Sequence, residues 1–291
     1  MARVRPSRKP DSKEKKPGPL APLFAPFEFI SRAWAPVGEK LQWLDPFTYV
    51  DRWVMPRLNP EKSSWKETAI YGVSALVFAL LVYSILGWVL GTPTPLVIVV
   101  SGSMEPVLHR GDVVLLTHAD ISQMNVPLVQ TKRPSLVQTP LADLAQVVPD
   151  VRANPGATAQ SLFFPDENQS VQIQKTGPIV VYTSSCGQPI VHRVVARLTA
   201  DDGDYVLTKG DSVHNPTVDT DCPRASIDAL VQTCNTRLQP CITFFPLAEK
   251  DLSGQSVFSV PFVGCVKLWL MDDLVSMVSQ GRLPSNFAGI C

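Results

Sequence analysis

The chain has 291 residues, which is long enough for one or two domains. Its 26 Lys and Arg residues balance its 26 Asp and Glu residues, so the overall charge does not indicate a nucleic-acid partner. The 27 prolines argue against a helical bundle and for much extended or irregular structure.

Charge is distributed unevenly along the chain. Residues 1–67 hold 13 basic and 8 acidic residues, whereas the rest holds 13 basic and 18 acidic residues. Residues 1–22 are basic and proline-rich, which predicts a disordered cytoplasmic tail that either contacts anionic lipid or is simply solvated. Residues 23–67 are rich in aromatic residues interrupted by prolines. They are predicted to form short helices at the membrane interface or a docking segment for a partner subunit.

A long uncharged stretch follows the basic part. Residues 69–91 carry no charge, and about 20 apolar residues cross a bilayer, so a transmembrane helix is predicted over residues 68–91. Lys62 and Lys66 precede it, and the next basic residue is Arg110. The positive-inside rule then places the N-terminus in the cytoplasm and the chain after the helix outside.

The rest of the chain is predicted to be mostly β, with residues 92–265 forming an external β domain. Gly, Pro and Asp separate short apolar or alternating runs. Residues 119–170 lack a sustained period and are predicted to be an irregular, partly ordered insertion. Residues 266–291 are predicted to form an amphipathic helix and tail, because their apolar run is too short for a second span. The predicted strands are Leu96–Val100, Val113–Thr117, Val171–Gln174, Ile179–Thr183, Ile190–Leu198, Tyr205–Thr208, Ile242–Phe245 and Val257–Val260.

All six cysteines follow the predicted transmembrane helix. Disulfides persist outside the cytosol, so this distribution agrees with an external domain. Cys222, Cys234 and Cys241 are close in sequence, and at least one disulfide is expected there, in a pairing that the sequence does not give. The sequon at Asn168 is either glycosylated or a chance occurrence. No Cys-x-x-Cys pair is present and the histidines are scattered, so no metal site is expected.

The stretch from Ser101 to Pro106 organises the external domain. It reads Ser-Gly-Ser-Met-Glu-Pro and lies between an apolar run that ends at Val100 and another that begins at Val113. This pattern predicts two strands joined by a small polar loop, with the hydroxyl of Ser103 exposed beside a glycine. A serine in that setting can act as the nucleophile of an acyl transfer once a base accepts its proton.

This box resembles the nucleophile box of the type I signal peptidases, serine protease family S26, which reads Ser-x-Ser-Met-x-Pro. The run His109-Arg110-Gly111-Asp112 extends the match, and Glu105 is typical of the archaeal and endoplasmic-reticulum branch. Val260-Pro261-Phe262-Val263-Gly264 resembles a late box of the same family. The resemblance covers about residues 90–118 and 177–264. The long insertion between them departs from the family, whose core makes this crossing in far fewer residues.

The proton acceptor is predicted at His192, which alternates with apolar neighbours in a strand. The resemblance implies this role, because the archaeal and endoplasmic-reticulum branch carries His before Arg-Val where bacterial relatives carry Lys. A free imidazole, with a pKa of about 6.5, is neutral at physiological pH and can accept a proton without desolvation. Lys209 is the alternative base, but it lies outside this box and is interpreted as structural.

The resemblance implies that an acid orients the imidazole. The family pattern is Lys-Gly-Asp-x-Asn-x-x-x-Asp, in which Asp211 matches the first acid and Asp219 the second. Extra residues before Asn215 loosen this alignment, and Asp221 is a rival. The third triad member is assigned to Asp219, with Asp211 as a supporting or substitute acid. Ser101 occupies the position whose side chain joins the backbone N–H of Ser103 in the family's oxyanion hole.

The resemblance thus implies signal peptidase I, a membrane-anchored serine endopeptidase that removes signal peptides from exported preproteins without a cofactor or metal. The implied partners are signal peptides, the lipid bilayer and the translocation machinery, and not nucleic acid. The implied location is the cell membrane, or the endoplasmic-reticulum membrane in a eukaryote. Two alternatives stay open: a related processing protease with a narrow substrate, and a non-catalytic, membrane-tethered β domain that binds partner proteins.

Overall fold

The computed structural model describes residues 45–154, 156–222, 242–270 and 277. Backbone contacts divide the chain into two compact units, Met1–Leu81 and Val82–Cys291. The predicted basic tail and most of the predicted C-terminal helix lie outside the described residues.

The first unit contains short helices that precede a long one. Helix α1 covers Pro46–Tyr49, a π-helical turn covers Val50–Val54, and α2 covers Met55–Leu58. The side chain of Asp45 caps α1 by accepting a hydrogen bond from the N–H of Phe47 at 3.0 Å. The ring of Phe47 packs edge-on against Tyr71, whose hydroxyl donates to Asp51. Short helices are therefore present at residues 46–58 of the segment for which they were predicted, while their location at the membrane interface stays a prediction.

Helix α3 covers Ser64–Leu90 and joins the two units in sequence. At about 1.5 Å per residue its 27 residues extend about 40 Å, longer than a hydrocarbon core of about 30 Å. None of its residues is buried, and apolar side chains surround it on all sides. Among the described residues, α3 is the one helix long and apolar enough to cross a membrane, as the uncharged stretch predicted.

The second unit is built on an eight-stranded sheet. The strands of this unit are β1 Leu96–Ile98, β2 Val113–Thr117, β3 Leu128–Gln130, β4 Gln146–Val148, β5 Ser161–Phe164, β6 Gln169–Gln172, β7 Ile179–Thr183, β8 Pro189–Ala200, β9 Gly203–Lys209, β10 Leu247–Ala248 and β11 Leu252–Val260. The strand order in the large sheet is β1-β2-β11-β7-β8-β9-β10, and β3 pairs with β8 in addition. Neighbouring strands are antiparallel except for the parallel pair β3 and β8.

Most of the predicted strands are confirmed, and one is wrong. The run predicted from Ile242 to Phe245 is a loop, and β10 begins only at Leu247. The reason is local hydrogen bonding: the N–H groups of Ile242 and Thr243 both donate to the carbonyl of Asp219, at 3.0 and 3.1 Å. These groups are therefore not available for a ladder with a neighbouring strand.

The predicted insertion, residues 119–170, packs on the sheet by apolar contacts. Its strands β4 and β5, together with β6, form a separate three-stranded antiparallel sheet, and loops and 3-10 turns make up much of the rest. Leu162 and Phe164 of the insertion share a core with Leu198 and Leu207 of β8 and β9. Burying side chains of this size stabilises the fold by about 1.5–3 kcal/mol each. The insertion is thus attached to the strands that carry the predicted base.

The C-terminal end of α3 is tied to the sheet of the second unit. The carbonyl of Leu90 accepts hydrogen bonds from the N–H of His118 at 2.8 Å and from the hydroxyl of Thr117 at 3.1 Å. Two residues later, the hydroxyl of Thr92 donates to the carbonyl of Ser253 at 2.6 Å. Gly91, with φ of +65°, ends the helix in the left-handed region that glycine tolerates. The residues that connect the helix to the sheet are therefore held by hydrogen bonds to β2, to His118 and to β11.

Three of the six cysteines lie among the described residues, and each is disulfide-bonded. They are Cys186, Cys222 and Cys265, so this part of the chain contains no free cysteine. Cys234 and Cys241 lie outside the described residues, so the disulfide predicted within the group Cys222, Cys234 and Cys241 stays a prediction. Cys265 begins helix α4, Cys265–Leu268, while most of the predicted C-terminal helix lies outside the described residues.

Candidate active site

The loop of Ser103 is anchored by apolar side chains on either side of it. Met104 and Leu108 are buried in a core that also contains Val114 of β2 and Val181 of β7. The serine itself is half-buried and lies in a run of turns between β1 and β2. Since the side chain that follows Ser103 is fixed in the core, the serine hydroxyl is held at the surface of the second unit.

Asp112 fixes the far end of this loop. Its carboxylate accepts hydrogen bonds from the N–H of His109 at 2.9 Å and from the N–H of Phe262 at 3.2 Å. The two predicted family boxes, one around Asp112 and one around Phe262, thus meet in space. A buried carboxylate that accepts two backbone donors restrains both segments.

Ser101 and Ser103 direct their hydroxyls toward each other. The Oγ atom of Ser101 donates to Oγ of Ser103 at 3.3 Å, which is a long hydrogen bond. Ser101 is exposed, so its hydroxyl is free to rotate toward another acceptor. Two hydroxyls are therefore presented side by side at the start of this loop.

His192 and Asp219 form a buried pair. Nδ1 of the imidazole lies 2.8 Å from Oδ2 of the carboxylate, and each side chain is only 1% exposed. His192 lies in β8, as the alternating pattern predicted, whereas Asp219 lies in the loop that follows β9. An ionised carboxylate can only accept a hydrogen bond, so Nδ1–H is the donor to Asp219, and the other ring nitrogen, Nε2, carries the lone pair that can accept a proton.

Two hydroxyls donate to the same carboxylate oxygen. Tyr182 reaches Oδ2 of Asp219 at 2.7 Å, and Thr208 reaches it at 2.6 Å. Burial, together with the charge of Asp219, raises the pKa of Tyr182 well above its ordinary value. Because the phenol keeps its proton, it remains a donor throughout the physiological pH range. The carboxylate charge is thus compensated by three donors rather than by a cation.

Backbone contacts bring the Ser103 loop to the residues that follow β9, next to the position of His192 in β8. The register that pairs Arg193 with Lys209 sets His192 opposite Gly210. A Cβ atom at Gly210 would come within 2.7 Å of the carbonyl oxygen of Ser103, so a side chain there would collide with the loop. The same carbonyl accepts a hydrogen bond from the N–H of Ser212 at 3.0 Å.

The other two candidate acids are paired elsewhere. Asp211 accepts hydrogen bonds from Arg193, with Nη2 to Oδ2 at 2.7 Å and Nε to Oδ1 at 3.0 Å. Asp221 pairs with Arg152, whose Nη2 lies 2.6 Å from its Oδ1. Of the three acids considered from the sequence, Asp219 is the one that the structure brings to His192.

Lys209 is buried, and its Nζ donates to the carbonyl of Gly210 at 2.9 Å. Burial lowers the pKa of its amine, while the charges of Asp219 and Asp211 oppose this effect. Lys209 and Arg193 are paired residues in the ladder and extend from the sheet face opposite to that of His192 and Thr208.

Tyr182 and Thr208 are site residues that the sequence analysis missed. Each lies in a correctly predicted strand, and each is a polar residue within an apolar run. That signal marks a buried hydroxyl that needs a partner, but it does not identify the partner. Among the residues that the structure describes, no group of three or more His, Cys, Asp or Glu is arranged to hold a metal ion.

Comparison with known proteins gives fungal relatives and no matching family model. The chain is 27% identical over 182 residues to the signal peptidase complex catalytic subunit SEC11 of Pyricularia oryzae. It is 28% identical to the SEC11 subunit of Metarhizium acridum over the same length and 27% identical to that of Tuber melanosporum over 184 residues. Each match covers 62% of this chain and 66% of the relative, so the chain spans just under two thirds of their length. The family resemblance noted from the sequence motifs is confirmed by these relatives.

Proposed function

We propose that this chain, which is similar to signal peptidase catalytic subunits, is a membrane-anchored serine endopeptidase that removes signal peptides from preproteins. The observation that carries the proposal is the buried His192–Asp219 pair, 2.8 Å apart, next to Gly210, the residue opposite His192 that packs against the backbone of Ser103. The relatives, which are catalytic subunits, support a protease. The serine mechanism is our inference from the residues.

In the proposed mechanism, Oγ of Ser103 attacks the carbonyl carbon of the scissile peptide bond while Nε2 of His192 accepts the hydroxyl proton. Asp219 keeps the imidazole in the tautomer with Nδ1–H and stabilises the imidazolium that forms. The tetrahedral intermediate collapses when His192 returns its proton to the leaving amine, which leaves an ester on Ser103. A water molecule then repeats the sequence and releases the signal peptide with a free carboxylate.

The oxyanion that develops in this reaction needs donors next to the nucleophile. We assign the backbone N–H of Ser103 and the hydroxyl of Ser101 to that role. The 3.3 Å contact between the two hydroxyls supports it, because the Ser101 side chain already occupies the space beside Oγ of Ser103. On substrate binding, the exposed Ser101 hydroxyl would exchange this long hydrogen bond for one to the oxyanion.

We place the N-terminus in the cytoplasm and the second unit outside, at the endoplasmic-reticulum membrane in a eukaryote. Lys62 and Lys66 before the apolar part of α3, and disulfide-bonded cysteines only after it, support this orientation. The second unit also exposes a run of apolar side chains that suits a lipid surface. These are Val257, Phe258, Phe262, Val263 and Val266, each at least 60% exposed.

The relatives are named as subunits of a complex, and we infer that this chain also assembles with partner proteins. The exposed Trp53 and Trp65 of the first unit lie in the aromatic segment that either contacts the membrane interface or docks a partner. Signal peptides emerging from the translocation machinery would be the substrates.

A serine-directed acylating probe tests the nucleophile. The full chain in detergent micelles is incubated with a fluorescent probe, and labelling is compared with Ser103→Ala and with Ser256→Ala, a serine in β11. We expect labelling that Ser103→Ala removes and Ser256→Ala keeps, together with cleavage of a preprotein. Labelling that survives in Ser103→Ala would exclude this nucleophile. Binding of preprotein without cleavage would favour the tethered β domain, and cleavage of a single preprotein among many would favour the narrow processing protease.

Cysteine labelling tests the orientation. Ser12→Cys in the basic tail and Val137→Cys, at an exposed position in the second unit, are expressed separately in membranes. An impermeant maleimide should reach position 137 from the outer or lumenal side, and position 12 only from the cytoplasmic side. The reverse pattern would place the second unit in the cytoplasm and contradict the proposed function.

A further inference from the structure

We propose that Arg152 is a positioning residue, through which the insertion holds the carboxylate of Asp219 against His192. We call residues 211–222 the acid loop, because they follow β9 and carry Asp219. The inference rests on the proposed function for the reaction that it affects. It concerns the insertion, residues 119–170, which the resemblance to known peptidases left without a role.

The guanidinium of Arg152 donates two hydrogen bonds to the acid loop, both to Asp221. Its Nη2 donates to the backbone carbonyl of Asp221 and to the carboxylate Oδ1 of the same residue, both at 2.6 Å. The other carboxylate oxygen accepts a hydrogen bond from the hydroxyl of Thr217 at 2.7 Å. Asp221 is therefore fixed from the insertion on one side and from within the acid loop on the other.

Arg152 is itself held in place by the insertion. Its backbone N–H donates to Oδ1 of Asp150 at 2.9 Å, and the N–H of Ala153 donates to the same oxygen at 3.3 Å. This short turn orients the arginine before it reaches the acid loop. A pair with a preorganised donor loses less side-chain entropy than two flexible surface chains do.

The insertion also contacts the acid loop through its backbone and its core. The N–H of Ala159 donates to the carbonyl of Pro216 at 2.7 Å. Val218, the residue before Asp219, is 1% exposed and packs in the core that contains Leu162 and Phe164 of the insertion. Among the described residues, Arg152 is the side chain of the insertion that forms an ion pair with this loop.

Asp219 lies between this contact and the sheet. Its N–H donates to the carbonyl of Thr208 at 2.9 Å, and its carbonyl accepts from Ile242 and Thr243. Only one residue separates it from Asp221, so a shift of Asp221 changes the direction in which Asp219 leaves the backbone. A displacement of about 1 Å in such a group can cost about a hundredfold in rate. The hydrogen bonds that the Arg152 side chain donates go to Asp221 and not to His192 or the Ser103 loop, so Arg152 acts through the acid loop.

The test compares two arginines of the insertion. Arg152→Met removes the guanidinium and keeps most of the aliphatic stem. Arg133→Met is the matched control, because Arg133 also pairs with an aspartate, Asp166, at 3.4 Å but does not contact the acid loop. We expect Arg152→Met to lower kcat about tenfold with KM nearly unchanged, and Arg133→Met to leave both nearly unchanged. Equal kinetics for the two variants would overturn the proposal.

A merely structural role for Arg152 would lower the amount of folded enzyme without moving the pH profile. A loosened Asp219 stabilises the imidazolium less, so the acid limb of kcat/KM should move to lower pH in Arg152→Met. Among the described residues, His192, Tyr182 and Lys209 are the titratable groups that interact with this carboxylate, and none of them is altered. Arg152→Met also leaves the carboxylate of Asp221 without its cation, which by itself would move the acid limb to higher pH, so a shift to lower pH reports the loss of positioning. An unmoved acid limb in folded Arg152→Met would contradict the positioning role.

A double-mutant cycle with Asp221→Asn isolates the pair. If Arg152 acts through Asp221, Arg152→Met should cost little in the Asp221→Asn background. Full additivity of the two losses would contradict the proposed route.

An NMR titration keeps the inference separate from the proposed function. The four histidines are isotope-labelled, and the His192 resonance is identified by its loss in His192→Ala. The midpoint of this titration should fall in Arg152→Met but not in Arg133→Met, whatever substrate the enzyme cleaves. Identical midpoints would overturn the inference, while absence of preprotein cleavage by the wild-type chain would overturn the proposed function alone.

Discussion

Two consecutive residues of β8 give the two faces of the sheet different chemistry. His192 extends from one face and meets Asp219, whereas Arg193 extends from the other and meets Asp211. Both acids come from the acid loop, and both pairs are buried. The partners nevertheless differ, because one carboxylate faces an imidazole and two hydroxyls and the other faces a guanidinium.

The His192–Asp219 pair can take part in proton transfer, whereas the Arg193–Asp211 pair can only hold the surrounding segments in place. A guanidinium keeps its charge at any physiological pH, so the Arg193–Asp211 pair cannot carry a proton through a reaction cycle. Its fork of hydrogen bonds, with a further one from Nη1 to the carbonyl of Gly177 at 2.6 Å, holds residues 210–212 against the Ser103 loop. The imidazole of His192 can gain and lose a proton. The carboxylate of Asp219 is stabilised by neutral hydroxyl donors, so its negative charge remains available to stabilise the imidazolium.

The largest expected effect is on the His192 face. We expect Ser103→Ala and His192→Ala each to lower kcat by about 10⁶-fold, because the two groups work as one unit and the loss of either is nearly complete. Preprotein cleavage by the purified full chain measures the loss, and circular dichroism checks the fold. Near-normal cleavage by His192→Ala would show that the assigned base is wrong, and Lys209 would then be tested.

A lysine in place of the histidine would make the two faces alike, with a cation on each. We expect His192→Lys to be as inactive as His192→Ala, since Asp219 would keep the new ammonium charged. A lysine base needs a desolvated site without a buried carboxylate beside it. Cleavage across pH 6–10 measures the effect, with the wild-type chain as reference. Recovery of activity at high pH only would mean that the lysine can be deprotonated there and would weaken this explanation.

The two carboxylates should differ in what their loss affects. Asp219→Asn should lower kcat by about 10⁴-fold, because the imidazole loses the acceptor that sets its tautomer. Asp211→Ala leaves the Arg193 guanidinium buried without its carboxylate, which should lower the free energy of unfolding by about 3–5 kcal/mol. Kinetics and urea unfolding in detergent measure both variants. If Asp211→Ala abolished catalysis in a stable protein, the assignment of the two acids would have to be exchanged.

The smallest expected effect tests the hydroxyl donors of the His192 face. Tyr182→Phe leaves Asp219 with one donor fewer and therefore with a stronger negative field at the imidazole. Protonation of the ring becomes more favourable, so the acid limb of kcat/KM should move to higher pH, with an activity loss of about tenfold at neutral pH. Tyr205→Phe is the control, because its hydroxyl donates to Asp202 at 2.7 Å instead. A downward shift, or an equal shift in the control, would contradict this role.

The pH profile of the wild-type chain gives one more prediction. Burial and the charge of Asp219 raise the pKa of Tyr182, so its hydroxyl stays protonated and should contribute no alkaline limb below pH 10. Loss of activity between pH 8 and 10 that Tyr182→Phe removes would show that the phenol does titrate in this range.

Local patterns were enough to predict much of the fold. Alternation in the run from Ile190 to Leu198 predicted β8, because side chains in a strand alternate between two faces. Because adjacent residues of a strand extend from opposite faces, the opposite directions of the His192 and Arg193 side chains follow from the sequence. The uncharged stretch predicted α3, since bilayer thickness sets the length of a spanning helix. The strand predicted from Ile242 to Phe245 was wrong, because β propensity reports a local preference and does not identify the hydrogen-bond partner of each N–H group.

Local patterns could not choose the acid of the site, and its assignment to Asp219 rested on the family resemblance. Asp211, Asp219 and Asp221 lie within one irregular loop, which has no period to relate sequence position to direction. The insertion was predicted to be irregular because it lacks a sustained hydrophobic period. Its apolar residues nevertheless complete a core with β8 and β9. The helix, most strands, the Ser103 loop and the face of His192 could be predicted from the sequence, because these features depend on neighbours along the chain. The pairing of Asp219 with His192, of Asp211 with Arg193 and of Asp221 with Arg152 became visible in the folded chain alone, because these pairs depend on which distant segments pack together.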